Sequence, residues 1–145
     1  MDQLSLSIVK RLKSGRRSFK EIGAELGVTE NTVRSRVKRL GESGVLEVAG
    51  QVDPDALPGH RLVVIGVKLK TMNLVAKGEE FSRLRGVVSV GVVTGRFDLI
   101  VVAMLNQEFD LLQFYTQEVS RVDDVLSTET FVLYKNFNWK APYVI

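Results

Sequence analysis

Between Ser18 and Leu40 the chain reads SFKEIGAELGVTENTVRSRVKRL, two short helical patterns joined by one glycine turn, and no other stretch constrains the fold as tightly. Ser18 and Glu21 stand at capping-box spacing, so the hydroxyl and the carboxylate can satisfy backbone N–H groups that a helix start leaves without partners. Ile22 and Leu26 share one face of that helix. Gly27 can adopt the left-handed conformation that ends a helix, and Thr29, two residues on, is a good cap for the next. So short a link forces a sharp angle between the two helices, as in a helix-turn-helix.

On the second helix Val33, Val37 and Leu40 lie at i, i+4 and i+7 and form an apolar stripe that must pack inward. At about 100° per residue the opposite face carries Asn31, Ser35 and Lys38, flanked by Thr32 and Arg39. An asparagine amide can pair with adenine, hydroxyls adapt as donors or acceptors, and cations neutralise phosphates, so this face is suited to a DNA major groove. Glu30 at the amino end either accepts from a cytosine amine or favours the helix dipole. Arg36 sits beside the apolar stripe, which assigns it to a phosphate or to bracing rather than to base reading. Lys20, at the start of the preceding helix, is a further phosphate candidate. The candidate DNA contacts are therefore Lys20, Thr29, Glu30, Asn31, Thr32, Arg34, Ser35, Arg36, Lys38 and Arg39. The competing reading is a solvated amphipathic helix of an ordinary bundle; the basic side chains and the helix-turn-helix spacing together favour DNA.

Charge supports the same division. Residues 1–44 hold ten Lys/Arg against five acids, leaving +5, whereas residues 45–145 hold ten against twelve, leaving −2. A basic head on a near-neutral body suits counterion release at phosphates. A membrane-surface helix would also be basic, but here the apolar side is already committed to a core. The longest apolar run, Leu99–Leu105, falls well short of the roughly 18 residues that span a bilayer. The amino terminus is periodic rather than a charged prefix with an apolar block, so no secretory signal is expected. With no cysteine and a single histidine, His60, neither a disulfide nor a metal site is expected, and a cytoplasmic, nucleoid-associated location is the natural one.

Leu4, Ile8 and Leu12, with Val9 beside them, predict a first helix ending at Ser14-Gly15. The expected organisation is a three-helix, winged-helix-like DNA-binding domain over 1–44, an extended linker over 45–61 containing Pro54, Pro58 and His60, and a second domain over 62–145. His60 is expected to be a solvated loop residue. Beyond Leu62 the pattern becomes βαββαβ, with Val87-x-Ser89 before one strand echoed by Val125-x-Ser127 before the last. The second helix of this part, from Gln107 to Asp124, is expected to turn Phe109, Leu112, Tyr115 and Val119 inward. A split βαβ doublet of this order predicts a ferredoxin-like sandwich of four antiparallel strands with both helices on one face, making the whole chain α+β. In Phe97–Leu105 both alternate sets are apolar, as in a strand covered on both sides. An exposed apolar sheet face would be costly at about 25 cal/mol per Å2, so a second copy of the chain is the expected cover, the tail from Phe137 to Ile145 being short for the task. A two-fold dimer would present two reading helices to successive major grooves about 34 Å apart.

These residues resemble the Lrp/AsnC family, the feast/famine regulators of bacteria and archaea, over nearly the whole chain. The likeness rests on Leu12 and Gly15-Arg16, on Gly27-Val28-Thr29 in the turn, and on Val33-x-x-Arg36-Val37-x-x-Leu40-x-x-x-Gly44. It rests equally on Val93-Thr94-Gly95-Arg96-Phe97-Asp98 between the central strands. The resemblance implies a sequence-specific transcriptional regulator that forms homodimers, often tetramers or octamers, and binds an amino acid or related effector between subunits. It implies effector contacts from Gly95, Arg96, Phe97 and Asp98, with Asp98 suited to an α-ammonium group, and from Phe131, Val132 and Leu133 on the last strand. The competing role for the loop is conformational, Gly95 supplying a positive φ and Asp98 bonding its own turn. The chain departs from the family in having Ser5 where an acid is usual and Gly23 where alanine is frequent. A siroheme-decarboxylase-like enzyme on the same scaffold is the alternative function. It calls for substrate-binding histidines that this chain lacks, and no catalytic residue, cofactor or metal site is expected. An RNA-binding sheet would need an exposed aromatic pair and a basic surround that the central strands do not offer.

Overall fold

Three helices form the amino-terminal part of the computed structural model, which describes all 145 residues. They are α1 (Gln3–Arg11), α2 (Phe19–Leu26) and α3 (Glu30–Glu42). Each begins on a side-chain cap: Asp2 accepts from the Ser5 N–H, Ser18 and Glu21 form the reciprocal capping box, and Thr29 accepts from the Thr32 N–H. Gly27 ends α2 at φ +67°. Ile8, Ile22 and Val33, one from each helix, are fully buried together, with Leu4, Leu12, Phe19, Leu26, Val28 and Val37 packed around them. Gly23 explains how closely α2 meets the turn, because a Cβ there would stand 2.7 Å from the Val28 carbonyl oxygen.

The chain divides into two units between Ala49 and Gly50. Residues 50–61, expected as part of the linker, thus belong to the second unit, where β1 (Gln51–Val52) pairs antiparallel with β6 (Ala141–Pro142). His60 is likewise not a free loop residue. It is half-buried, its Nδ1 lies 2.9 Å from the Pro58 carbonyl oxygen, and its Nε2 lies 3.3 Å from the Tyr143 hydroxyl.

The second unit has the expected ferredoxin-like topology. β2 (Arg61–Leu69), α4 (Leu74–Ser82), β3 (Val87–Val92), β4 (Leu99–Leu105), α5 (Leu111–Gln113, continuing as a π turn over Phe114–Glu118) and β5 (Val125–Val132) follow in order. The strands assemble antiparallel as β3-β4-β2-β5. One face of the sheet joins Val63, Ile65, Val67, Leu99, Val101, Ala103 and Leu105 to Phe81, Phe109, Phe114 and Val119. The helix after β4 differs from the expected one. An Asp110–Gln113 capping box starts it at Leu111, and the π turn changes the period, so that Phe114 and Val119, five residues apart, both face inward while Leu112 is 69% exposed.

The opposite face was expected to need a second chain, and the tail covers part of it. Ala141, buried to 1% exposure, packs with Val144 and Ile145 against Leu62, Val102 and Met104. A strand pair with β1 holds the tail there, which is how so short a segment does this. Phe131, Val132, Tyr134, Phe137, Trp139 and Tyr143 remain exposed along the last strand and the tail. The rotated register of the last helix predicts that Phe114→Ala costs about 3–5 kcal/mol in urea unfolding, whereas Leu112→Ala stays within about 0.5 kcal/mol.

Candidate functional site

Two sets of residues carry functional chemistry, the outward face of α3 and the loop between β3 and β4. On α3, Asn31, Arg34, Ser35, Lys38 and Arg39 are exposed, opposite the buried Val33 and Leu40. Lys20 and Glu30 are exposed as well, and Thr32 is half-buried. Thr29 spends its hydroxyl on the cap, accepting from the Thr32 N–H at 3.2 Å with the two hydroxyl oxygens 2.9 Å apart. Arg36 had two readings, phosphate or brace, and its contacts are those of a brace. Its guanidinium donates to the Asp2 carboxylate and approaches the Ser5 hydroxyl at 3.4 Å, tying α3 to the start of α1. The Ser5 N–H first and Arg36 second hold the Asp2 carboxyl well below the usual carboxylate range.

Ion pairing sorts the basic residues of this unit. Arg17 and Arg11 both clasp Glu25 and depress its carboxyl, Arg17 being the stronger influence. Arg34 pairs with Glu30, and Lys38 stands 3.8 Å from Glu42 with both side chains exposed. Exposed pairs of this kind are weak and leave the lysine available to a phosphate. What this face offers is an amide, hydroxyls and cations on a rigid helix, the set that hydrogen-bonds base edges and neutralises phosphates.

In the second unit the loop between β3 and β4 turns at Gly95, φ +110°, with the Val93 N–H donating to the Asp98 carbonyl at 3.0 Å. Only glycine adopts that φ without strain. The Asp98 side chain does not bond its own turn. Its carboxylate reaches β2, accepting from the Leu69 N–H at 2.8 Å and lying 3.1 Å from the Lys68 ammonium. Those two contacts, the backbone one first, lower its pKa from the usual value. Phe97 lies flat over Gly66, where a Cβ would come within 2.6 Å of the ring, and meets Phe131 edge-on at 6.3 Å. Arg96 bonds Glu129 on β5 at 2.8 Å and stands 5.5 Å from the Phe97 ring centre.

The strand register divides the three residues expected on β5. Phe131 stands opposite Val64 and so shares the face that carries Phe97, whereas Val132 stands opposite Val63 and faces the helix side. Leu133 lies beyond the strand and packs on the Phe131 side with Leu62 and Met104. The arrangement therefore gathers Arg96, Phe97 and Phe131, leaves Leu133 on the same face beside Leu62 and Met104, and separates Val132. Sequence reasoning missed Lys68 and Glu129. The signal for Lys68 was a lone cation within the apolar run LVVIGVKL. Two cavities, of about 360 and 530 Å3, open beside Leu105, Gln107 and Leu112 and beside His60, Tyr134 and Lys135; the Gly95–Asp98 loop lines neither.

Because the Asp98 carboxyl is depressed in the fold, its contribution to stability is complete above its unfolded pKa and is lost as pH falls through its folded value. Acid titration of Asp98→Asn, followed by thermal melting, is expected to give a lower melting temperature at neutral pH and a shallower decline below about pH 4 than the unsubstituted protein shows.

Comparison with known proteins follows the same division. Residues 1–41 match the AsnC-type helix-turn-helix domain and residues 62–139 match the Lrp/AsnC ligand binding domain. The HTH-type transcriptional regulator Ptr1 of Methanocaldococcus jannaschii is 28% identical over 139 residues, spanning 94% of this chain and 94% of its own. Among solved structures, E. coli AsnC superposes with a TM-score of 0.67 at 22% identity, covering 94% of this chain and 93% of its own. A Neisseria meningitidis transcriptional regulator in complex with L-Met gives a TM-score of 0.67 at 16% identity, covering 100% of this chain and 96% of its own. No helix is long and apolar enough to cross a membrane.

Proposed function

This chain belongs to the Lrp/AsnC family of DNA-binding transcriptional regulators, and we propose that it reads duplex DNA as a homodimer through α3, under control of an amino acid held beside the Gly95–Asp98 loop. The observation that carries the first part is the outward face of α3. It presents Asn31, Ser35, Lys38 and Arg39 to solvent while the stripe beneath is buried against α1 and α2. Asn31 reads a base edge, Lys38, Arg39 and Lys20 hold phosphates, and Arg36 sets the helix in place through Asp2. Thr29 and Thr32 fix the start of α3, and Ser35 adapts to either groove edge or phosphate.

Association into a dimer is supported by the exposed apolar side chains Phe131, Tyr134, Phe137 and Trp139, more than a solitary surface ordinarily leaves in one stretch. Tetramers or octamers of such dimers are the next level of the same proposal. The effector reading is supported by the L-Met complex of the Neisseria regulator and by the chemistry of the loop. Arg96 offers a guanidinium to a carboxylate, Glu129 offers a carboxylate to an ammonium, and Phe97 with Phe131 offers an apolar wall. Asp98 serves by anchoring the loop to β2, and Gly95 by giving it its turn. The loop lines neither of the two cavities described above, and in this reading a second copy completes the site.

Fluorescence anisotropy on the chain's own upstream DNA tests the assignment. Asn31→Ala is expected to reduce discrimination between specific and random duplex, while Lys38→Ala weakens both alike and lowers the slope of log K against log salt by about one. Equal loss of sequence preference in the two variants counts against it. Sedimentation at micromolar concentration is expected to give a dimer or larger, and a lone subunit overturns that part. In a thermal-shift screen of the twenty amino acids, the effector raises the melting temperature. Arg96→Ala is expected to abolish that shift.

A further inference from the structure

Glu30 is the only acid in the first two turns of α3, an odd residue to place against phosphates, yet its surroundings are ordered for a purpose. One carboxylate oxygen, Oε1, accepts from the Arg34 guanidinium at 2.5 Å, and the other, Oε2, is without a partner. Arg34 is held in turn. Its guanidinium carbon stands 5.4 Å from the centre of the Phe19 ring, and Phe19 packs on the buried trio Ile8, Ile22 and Val33. An exposed i,i+4 pair by itself is loosely held. The aromatic face adds a third anchor that ties the pair to the core of the unit.

This geometry removes the objection to a carboxylate in a major groove. A bare carboxylate is repelled by the phosphates on either side, whereas one paired with a guanidinium carries no net charge and still keeps an open acceptor atom. We propose that Glu30 and Arg34 act as one reading unit that selects a C·G pair in each half-site. Glu30 Oε2 accepts from the cytosine N4 amine, and Arg34 is the positioning residue that fixes the carboxylate and cancels its charge. Of the four bases, cytosine alone presents a donor there without an acceptor on the same edge. Guanine presents N7 and O6, thymine presents O4, and adenine sets N7 beside its amine, so each turns a lone pair toward the carboxylate. The inference rests on α3 being the groove element, and it adds the base and the pair of residues that reads it.

Selection from a randomised duplex pool by the full chain tests this, with each preference then measured by competition. The unsubstituted protein is expected to fix cytosine at one position per half-site. Glu30→Gln is expected to move that position to adenine, because a glutamine amide pairs with N6 and N7, with about a tenfold reversal of preference between the two bases. Arg34→Gln is expected to flatten that position while the other positions keep their bases, which a merely structural role would not produce. If Glu30→Gln instead tightens binding to every duplex by one factor with the preferences unchanged, the glutamate serves only the helix and the proposal falls while α3 remains the reader. If the unsubstituted protein selects no sequence, this inference and the DNA-reading assignment of α3 fall together. The Glu30 side chain is exposed and its hydrogen bond and ion pair are with Arg34 alone, so the Glu30→Gln outcome does not depend on a disturbed fold.

Discussion

Burial of the β2–β4 pair on both faces is the constraint on which the carboxyl-terminal unit depends. Leu99, Val101, Ala103 and Leu105 meet the helices, while Val102 and Met104 meet the tail. At about 25 cal/mol per Å2 of apolar surface this double burial dominates the stability of the unit. It also fixes the loop before β4, because a strand dry on both sides tolerates no slip of register. Asp98 is therefore delivered to the Leu69 N–H and Lys68, and Phe97 to the bare backbone of Gly66. The family's signature loop is thus part of the sheet's hydrogen bonding, and Arg96 ties it to β5 through Glu129.

The amino-terminal helix-turn-helix unit solves a different problem, holding three short helices together around a small core. Three fully buried side chains, one per helix, are supplemented by polar ties around the rim. Five of its six acids are engaged: Asp2 with Arg36, Glu21 in the capping box, Glu25 with Arg11 and Arg17, Glu30 with Arg34, and Glu42 with Lys38. The basic residues consequently separate into those that hold the helices together and those, such as Lys20 and Arg39, that stand free on the surface. A net charge alone could not make that separation.

Local signals were legible wherever neighbours in sequence are also neighbours in space. The Ser18–Glu21 box, the Gly27 turn, the Thr29 cap and the Val33/Val37/Leu40 stripe involve partners within one or two turns, and each is where its spacing placed it. The βαββαβ order was legible for the same reason, since strand and helix periods are local. Contacts across long stretches of sequence were not. Nothing in the run around Glu129 points to Arg96, and Arg36 as a brace depends on Asp2, far away in the chain. Phe109, Tyr115 and Val119 pack inward as their spacing placed them, but Leu112 points out and Phe114 in, because a π turn adds a residue that no fixed period anticipates.

By itself the amino-acid sequence determined the kinds of element, their order, the exposed polar side of α3 and the family, because propensity, caps and periodicity are properties of short segments. Only the tertiary structure decided which charges are spent inside the fold, that the tail returns to cover Leu62 and Met104, and that Phe131 and Val132 face opposite ways. Those outcomes depend on strand register and on close approach between distant segments. Both are set by burying the whole apolar surface at once, which no short window of residues contains.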